Sequence, residues 1–368
     1  MTKEGMKIIN VVGARPNFMK IAPIMRAMKA YRKIKPLLVH TGQHYDANMS
    51  GAFFKDLELP KSDIHLEVGS GTHAEQTARV MERFEKVLFK EKPNLVLVVG
   101  DVNSTLACSL AASKLHIKVA HVEAGLRSFD RRMPEEINRV LTDQMSDLLF
   151  TTCKDADRNL AKEGIAQDKV FLVGDVMIDT LLRSMETVDQ RPKTKDRRPR
   201  DGEYAVVTLH RPSNVDDKDT FERISMALNK ISKSIPIIFP VHPRTRGQIK
   251  RFGFEKYYNG QIKLLEPLGY LDFIKLYPKA KMVLTDSGGI QEETTVLDIP
   301  CLTIRENTER PITITQGTNI LVGTDEEKIV KEAKKILRGE RKRRKTIKYW
   351  DGRAAERIVR VLVEEADV

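Results

Sequence analysis

Two acidic residues stand where apolar strands run out. Leu95–Val99 reads LVLVV and is followed by Gly100-Asp101, and Ile117–Val122 is followed by Glu123 and then Ala124-Gly125-Leu126-Arg127. A carboxylate ending an apolar strand sits at a sheet edge, partly desolvated. Two of them on different strands crowd each other and push their pKa values apart, as acid–base chemistry requires. Glu135 and Glu136 open a helix at Pro134, where the helix dipole alone accounts for acids. In the second half, Tyr204–Leu209 ends in His210-Arg211-Pro212. A histidine there can steady a phosphate or move a proton, and an ordinary loop histidine is the other reading.

A different chemistry gathers around Lys281–Thr285, which runs into Asp286-Ser287-Gly288-Gly289-Ile290-Gln291-Glu292-Glu293. A strand that passes through Ser-Gly-Gly into a helix presents backbone N–H groups to an anion, so this is a phosphate cradle or, more simply, a glycine turn. Glu293, about two turns into that helix, is spaced to accept hydrogen bonds from a ribose diol. Arg310, in Thr308-Glu309-Arg310-Pro311, adds a cation. Near the start, Ile8–Val12 leads to Gly13, Arg15 and Lys20. Glycine permits close backbone approach there, and two cations beside a helix start suit a diphosphate.

These residues need a scaffold of short apolar strands, each followed by an amphipathic helix. Leu37–His40, Lys169–Val173 and Pro236–Val241 repeat the pattern, and the first helix carries Ile21, Ile24, Met25 and Met28. Such alternation implies parallel sheets with right-handed crossovers, and ligands then bind beyond the carboxyl ends of the strands. The expected fold class is α/β, with two doubly wound Rossmann-like domains facing a central cleft. The polar, Pro- and Arg-rich stretch Thr187–Gly202 marks the boundary. The expected organisation is an N-terminal Rossmann-like domain over 1–185 with the carboxylates, a linker over 186–202, a second Rossmann-like domain over 203–350 with the Ser-Gly-Gly turn, and a closing helix over 351–368.

Composition narrows the function classes. The formal charge of +12, from 63 basic and 51 acidic side chains, favours anionic partners. Its main runs, Arg191–Arg200 and Gly339–Lys345, lack interleaved aromatics, which argues against a nucleic-acid module and for solvated surface. No segment reads as a signal peptide or membrane span. The cysteines Cys108, Cys153 and Cys301 have no metal spacing, so a metal-independent enzyme in a reducing cytoplasm is expected.

Taken together, Gly13-Ala14-Arg15-Pro16, Gly100-Asp101, His121–Arg127 (HVEAGLR), Pro134-Glu135-Glu136, Asp286–Glu293 (DSGGIQEE), Thr308–Pro311 and Asp351–Ala354 resemble the non-hydrolysing UDP-N-acetylglucosamine 2-epimerases. The resemblance covers nearly the whole chain and implies the two-domain GT-B-type fold, a UDP-amino sugar substrate, no cofactor and a homodimer. It implies that Arg15, Lys20, Ser287, Gly288, Gly289 and Arg310 hold the diphosphate. Glu293 would take the ribose, and Leu268 and Phe273 would line the uracil site. Asp101, Glu123 and Glu135 would be the acid–base carboxylates, with His210 at the phosphate–sugar junction. Gln43–Met49 and Arg127-Ser128-Phe129-Asp130 also resemble epimerases of di-N-acetylated sugar acids. A glycosyltransferase of the same fold is the remaining alternative.

Overall fold

The structure is a computed structural model that describes residues 5–43, 57, 59–189 and 200–366. The chain divides into two compact units, Met1–Arg183 with Ile347–Val368, and Ser184–Thr346.

The first unit is built on a seven-stranded parallel sheet. Its strands are β1 (Met6–Val12), β2 (Ile34–His40), β3 (Ile64–His65), β4 (Leu95–Val99), β5 (Lys118–Ala124), β6 (Leu148–Thr151) and β7 (Val170–Leu172), in the order β3-β2-β1-β4-β5-β6-β7. Chain order reverses between β1 and β4, which opens a crevice at their carboxyl ends. All five residues of β4 are buried, as a central strand covered on both faces must be. The helix Arg15–Met28 buries Ile21, Ile24, Met25 and Met28, the positions that the periodicity selects. The helix Ala354–Ala366 closes this unit. Asp179 accepts hydrogen bonds from the Ala354 and Ala355 amides (3.1 and 2.7 Å), and the Trp350 indole donates to the Thr152 carbonyl (3.0 Å). Burial pushes the Asp179 carboxyl up to about 6, although both amide bonds favour its charged form.

The second unit carries a six-stranded sheet: β8 (Ala205–Thr208), β9 (Ile237–Pro240), β10 (Ile262–Leu265), β11 (Met282–Thr285), β12 (Cys301–Thr303) and β13 (Asn319–Leu321). The order is β10-β9-β8-β11-β12-β13, so the reversal falls between β8 and β11. Every strand pair in both sheets is parallel. Phe221, Phe239 and Phe254, all buried, fill one face of this sheet. Both sheets are therefore doubly wound, as the alternating pattern requires. Among the described residues no helix is long and apolar enough to cross a membrane.

Candidate active site

At the first reversal, two carboxylates emerge from neighbouring strands. Asp101 follows β4 and pairs with Arg139 of the helix Pro134–Met145, and its backbone carbonyl accepts from the Asn138 amide at 2.9 Å. Glu123 lies near the end of β5 and pairs with Lys20, both side chains being more than nine-tenths buried. The crowding expected of the two acids is thus met by two cations, one beside each. An ionised carboxylate is tolerated in so dry a place only with such a partner.

The backbone at Glu123 is unusual. The register with β6 shifts between Val122 and Ala124, a bulge, and Glu123 itself has a φ of 73°. An L-residue in the left-handed region costs about 1–2 kcal/mol, and bulges of this kind re-aim side chains beside active sites. Gly100, one residue before Asp101, shows why no side chain stands there. A Cβ at Gly100 would lie 2.7 Å from the Lys20 ammonium nitrogen, blocking its reach to Glu123.

Other sequence-selected residues of this unit have distinct surroundings. Glu135 is exposed at the helix start. Its neighbour Glu136 is buried and accepts from the Ser128 amide and hydroxyl (2.8 and 2.9 Å), the Phe129 amide (2.8 Å) and Arg139 (2.8 Å). Glu136 therefore ties down the loop after β5 and orients the cation that pairs with Asp101, a role the dipole argument did not reach. Gly13 is packed by this chain's own side chains: a Cβ would meet the Ser104 hydroxyl at 2.4 Å and the Thr41 hydroxyl at 2.8 Å. The Gly13 and Ala14 amides both donate to Asn17 (3.1 and 3.0 Å). The tight turn is accounted for by internal packing. The side chain of Arg15 and residues 44–49 lie outside the described residues.

At the second reversal a glycine-opened helix start and a guanidinium come together. Ser287, Gly288 and Gly289 follow β11 and open the helix Gly288–Val296, and the Ser287 side chain does not cap it. First-turn amides of a helix have no intrahelical acceptor, so they suit an anion. Arg310 leans over this start. A Cβ at Gly288 would lie 2.8 Å from its guanidinium and 2.9 Å from the Glu309 carboxylate. Arg310 is pinned by Glu309 (2.6 Å) and Glu292, and Glu309 also meets Arg305 at 2.7 Å. Paired in this way, the guanidinium is held in place before any ligand arrives.

His210, 44% exposed at its side chain, sits beside the same helix start with Nδ1 2.9 Å from Asp286. Asp286 is fully buried and also accepts from the His210 and Arg211 amides (3.0 and 2.9 Å). Burial works to raise its carboxyl, but His210 and the two amides outweigh it and hold Asp286 below the ordinary aspartate range. An ionised Asp286 fixes the Nδ1–H tautomer, which aims Nε2 away from it as a proton acceptor. Glu293 is 1% exposed and accepts from the hydroxyls of Tyr270 (2.9 Å) and Tyr277 (2.6 Å). Phe273, half-buried, packs on Tyr277 with ring centroids 4.9 Å apart, and Leu268 is half-buried nearby in sequence.

Arg139, Asp286, Glu309 and the two tyrosines escaped sequence reasoning. Only Asp286 carried a usable signal, an acid at the end of an apolar strand.

Known proteins match this chain along its length. The family model of UDP-N-acetylglucosamine 2-epimerase matches residues 26–363. The UDP-N-acetylglucosamine 2-epimerase of Methanocaldococcus jannaschii is 45% identical over 364 residues, covering 97% of this chain and 99% of that protein. The UDP-2,3-diacetamido-2,3-dideoxy-D-glucuronate 2-epimerase of Pseudomonas aeruginosa is 43% identical over 367 residues, covering 98% and 100%. A crystal structure of the M. jannaschii UDP-GlcNAc 2-epimerase in complex with UDP-GlcNAc and UDP superposes with a TM-score of 0.89, covering 98% of this chain and 100% of that one. The fold is GT-B-like, as the sequence implied. With carboxylates beside one reversal, a Ser-Gly-Gly helix start at the other and this breadth of similarity, the chain belongs to the UDP-N-acetylglucosamine 2-epimerase family.

Proposed function

We propose that the protein interconverts UDP-N-acetylglucosamine and UDP-N-acetylmannosamine by eliminating and re-adding UDP. The C2 proton of an acetamido sugar is too weakly acidic for direct exchange. When the anomeric C1–O bond breaks, its electron pair leaves with UDP and positive charge develops at C1. Loss of the C2 proton to a carboxylate then forms the C1=C2 double bond of a glycal. Protonation of C2 on the opposite face and return of the UDP oxygen to C1 give the epimer, with nothing consumed.

In this reading the first unit supplies proton transfer and the second holds the leaving group. Asp101 and Glu123 handle the C2 proton and the cationic carbon, with Glu135 as a third acid. Lys20, beside Glu123, offsets the negative charge of that carboxylate. Arg15 is assigned with it to the diphosphate. Ser287, Gly288, Gly289 and Arg310 stabilise the departing UDP, His210 acts at the phosphate–sugar junction, Glu293 meets the ribose, and Leu268 and Phe273 line the uracil site. The observation that carries the reading is Glu123, a buried carboxylate on strained backbone beside Asp101 at the reversal of the first sheet.

A second substrate is favoured by one finding, the 43% identity to an epimerase of a UDP-diacetamido uronate. Incubating the protein with each UDP-sugar alone and resolving the products by NMR separates the two. Formation of UDP-N-acetylmannosamine supports the main reading. Turnover of only the uronate selects the second, and turnover of neither, with or without an acceptor alcohol, rejects both.

Three buried, unpaired cysteines support a cytoplasmic enzyme that supplies precursors for cell-surface polysaccharide. The exposed Phe129, Ile137 and Leu141 support a homodimer, which sedimentation would test.

A further inference from the structure

We infer that a buried ionic set outside the reacting groups, His121, Asp143, Arg127 and Glu163, positions Glu123 relative to Asp101; this rests on the roles proposed above for those two carboxylates. His121 lies on β5 opposite Val98 of β4 and is wholly buried. Its Nε2 donates across to the Gly100 carbonyl (2.8 Å), one residue before Asp101. Its Nδ1 lies 2.6 Å from Asp143. The second Asp143 oxygen accepts from the Gly125 amide (3.0 Å) and meets Arg127 (2.7 Å). Arg127 in turn forms a two-pronged pair with Glu163 (2.7 and 2.6 Å), and Asn159 donates to the Gly125 carbonyl (2.9 Å).

Asp143 therefore grips the chain on both sides of the strained residue. It reaches His121, two positions before Glu123, and Gly125, two positions after. Through His121 the same carboxylate fixes the end of β4. With a carbonyl on one side and an ionised acid on the other, both His121 nitrogens donate. Burial alone would raise the Asp143 carboxyl, yet His121 and Arg127 together hold it below the usual range, so the acceptor stays charged. His121, Asp143 and Arg127 are buried, with Glu163 partly exposed at the rim, and loss of Asp143 takes from the buried Arg127 guanidinium one of its two carboxylate partners. Toward the two acids the set reaches backbone, at Gly100 and at Gly125, and acts through the main chain.

The test uses Asp143→Asn, which keeps size and removes charge, and His121→Asn, which keeps a donor toward Asp143 and loses the one toward Gly100. Turnover is expressed per UDP-binding site, titrated calorimetrically. The expected result is a fall in kcat per site of about 10- to 100-fold in both, with KM and UDP affinity within about threefold of wild type and slower deuterium entry at C2. Leu88→Ala, a core truncation in the first unit, serves as a variant of lowered stability with unchanged kcat per site. If Asp143→Asn and His121→Asn behave like Leu88→Ala, losing folded fraction but keeping kcat per site, positioning is overturned. Glu123→Gln in the same assay separates the two ideas. An active Glu123→Gln rejects the functional reading itself; an inactive one beside fully active positioning variants rejects only this inference.

Discussion

At the end of β5 a glutamate is forced into left-handed backbone, buried, and matched by a single lysine, whereas at the end of β11 two glycines open a helix whose start is overhung by an arginine locked between two glutamates. The second lies at the reversal of its sheet, and the first lies one strand from the reversal of its own and is joined to it through Lys20, so topology favours each as a ligand region. They differ in what projects from the strand ends. The first invests in acidic side chains aimed by irregular backbone, which suits moving a proton. The second relies on backbone amides and fixed guanidinium charge, which suits holding a dianion without reacting with it. In the proposed reading, one kind of architecture serves two chemistries, set by the residues that stand beyond the strands.

The comparison is broken most severely by removing an acid from the first place. Glu123→Gln or Asp101→Asn is expected to lower turnover by about 10²- to 10⁴-fold while UDP affinity stays within about threefold. A coupled assay for UDP-N-acetylmannosamine with calorimetry for UDP checks both halves. Wild-type turnover in either variant removes that residue from the mechanism.

Acid should distinguish the two places next. Burial, helped by His65, lowers the pKa of His40 at the end of β2 to about 4 from 6.5. The folded pKa lies below the unfolded one, so the unfolded chain takes the proton first. The stability contribution is complete above the unfolded value and is lost as pH falls from about 6.5 toward 4. Full loss amounts to about 3 kcal/mol. Urea denaturation at both ends of that window should show wild type losing more stability than His40→Gln. Equal losses would contradict the assignment. Asp286 at the second place behaves oppositely in origin, since its lowered carboxyl keeps its charge until lower pH.

Arg310→Ala should weaken UDP binding about 10- to 100-fold, the loss of a charged hydrogen bond and its partners' neutralisation, with a smaller change in kcat. Calorimetry gives the affinity, and a defect confined to kcat would move Arg310 to the other side of the comparison. Gly288→Ala is the mildest change. Its methyl group would press on the Arg310 and Glu309 side chains, and about a three- to tenfold loss of UDP affinity is expected.

Much of this was legible in the chain itself. LVLVV reads as a central strand, and the glycine-bearing segments Gly13, Gly100 and Gly288-Gly289 follow strands that flank the two reversals. Strands β3, β6, β10, β12 and β13 were not foreseen, because two to four residues such as Cys301–Thr303 carry too little periodicity to stand out from helix or loop. Partnerships were also invisible. Nothing local to Asp143 announces His121, 22 positions away, and nothing local to Asp286 announces His210, 76 positions away. Glu136 was accounted for by the helix dipole when it also holds loop amides, and the turn at Gly13 was legible as a turn while Ser104 and Thr41, which close over it, were not. In each case a local rule was satisfied, and a contact from a distant segment set the role.

The central claim is that Glu123 and Asp101 exchange the proton at C2 of the sugar while UDP departs and returns. Its most direct test is UDP-N-acetylglucosamine and the purified protein in deuterated water, with no acceptor, followed by NMR at C2. The account predicts deuterium at C2 in the epimer formed, with the UDP-sugar pool conserved. Epimer that keeps its protium at C2, or UDP released to water with no exchange, would contradict it.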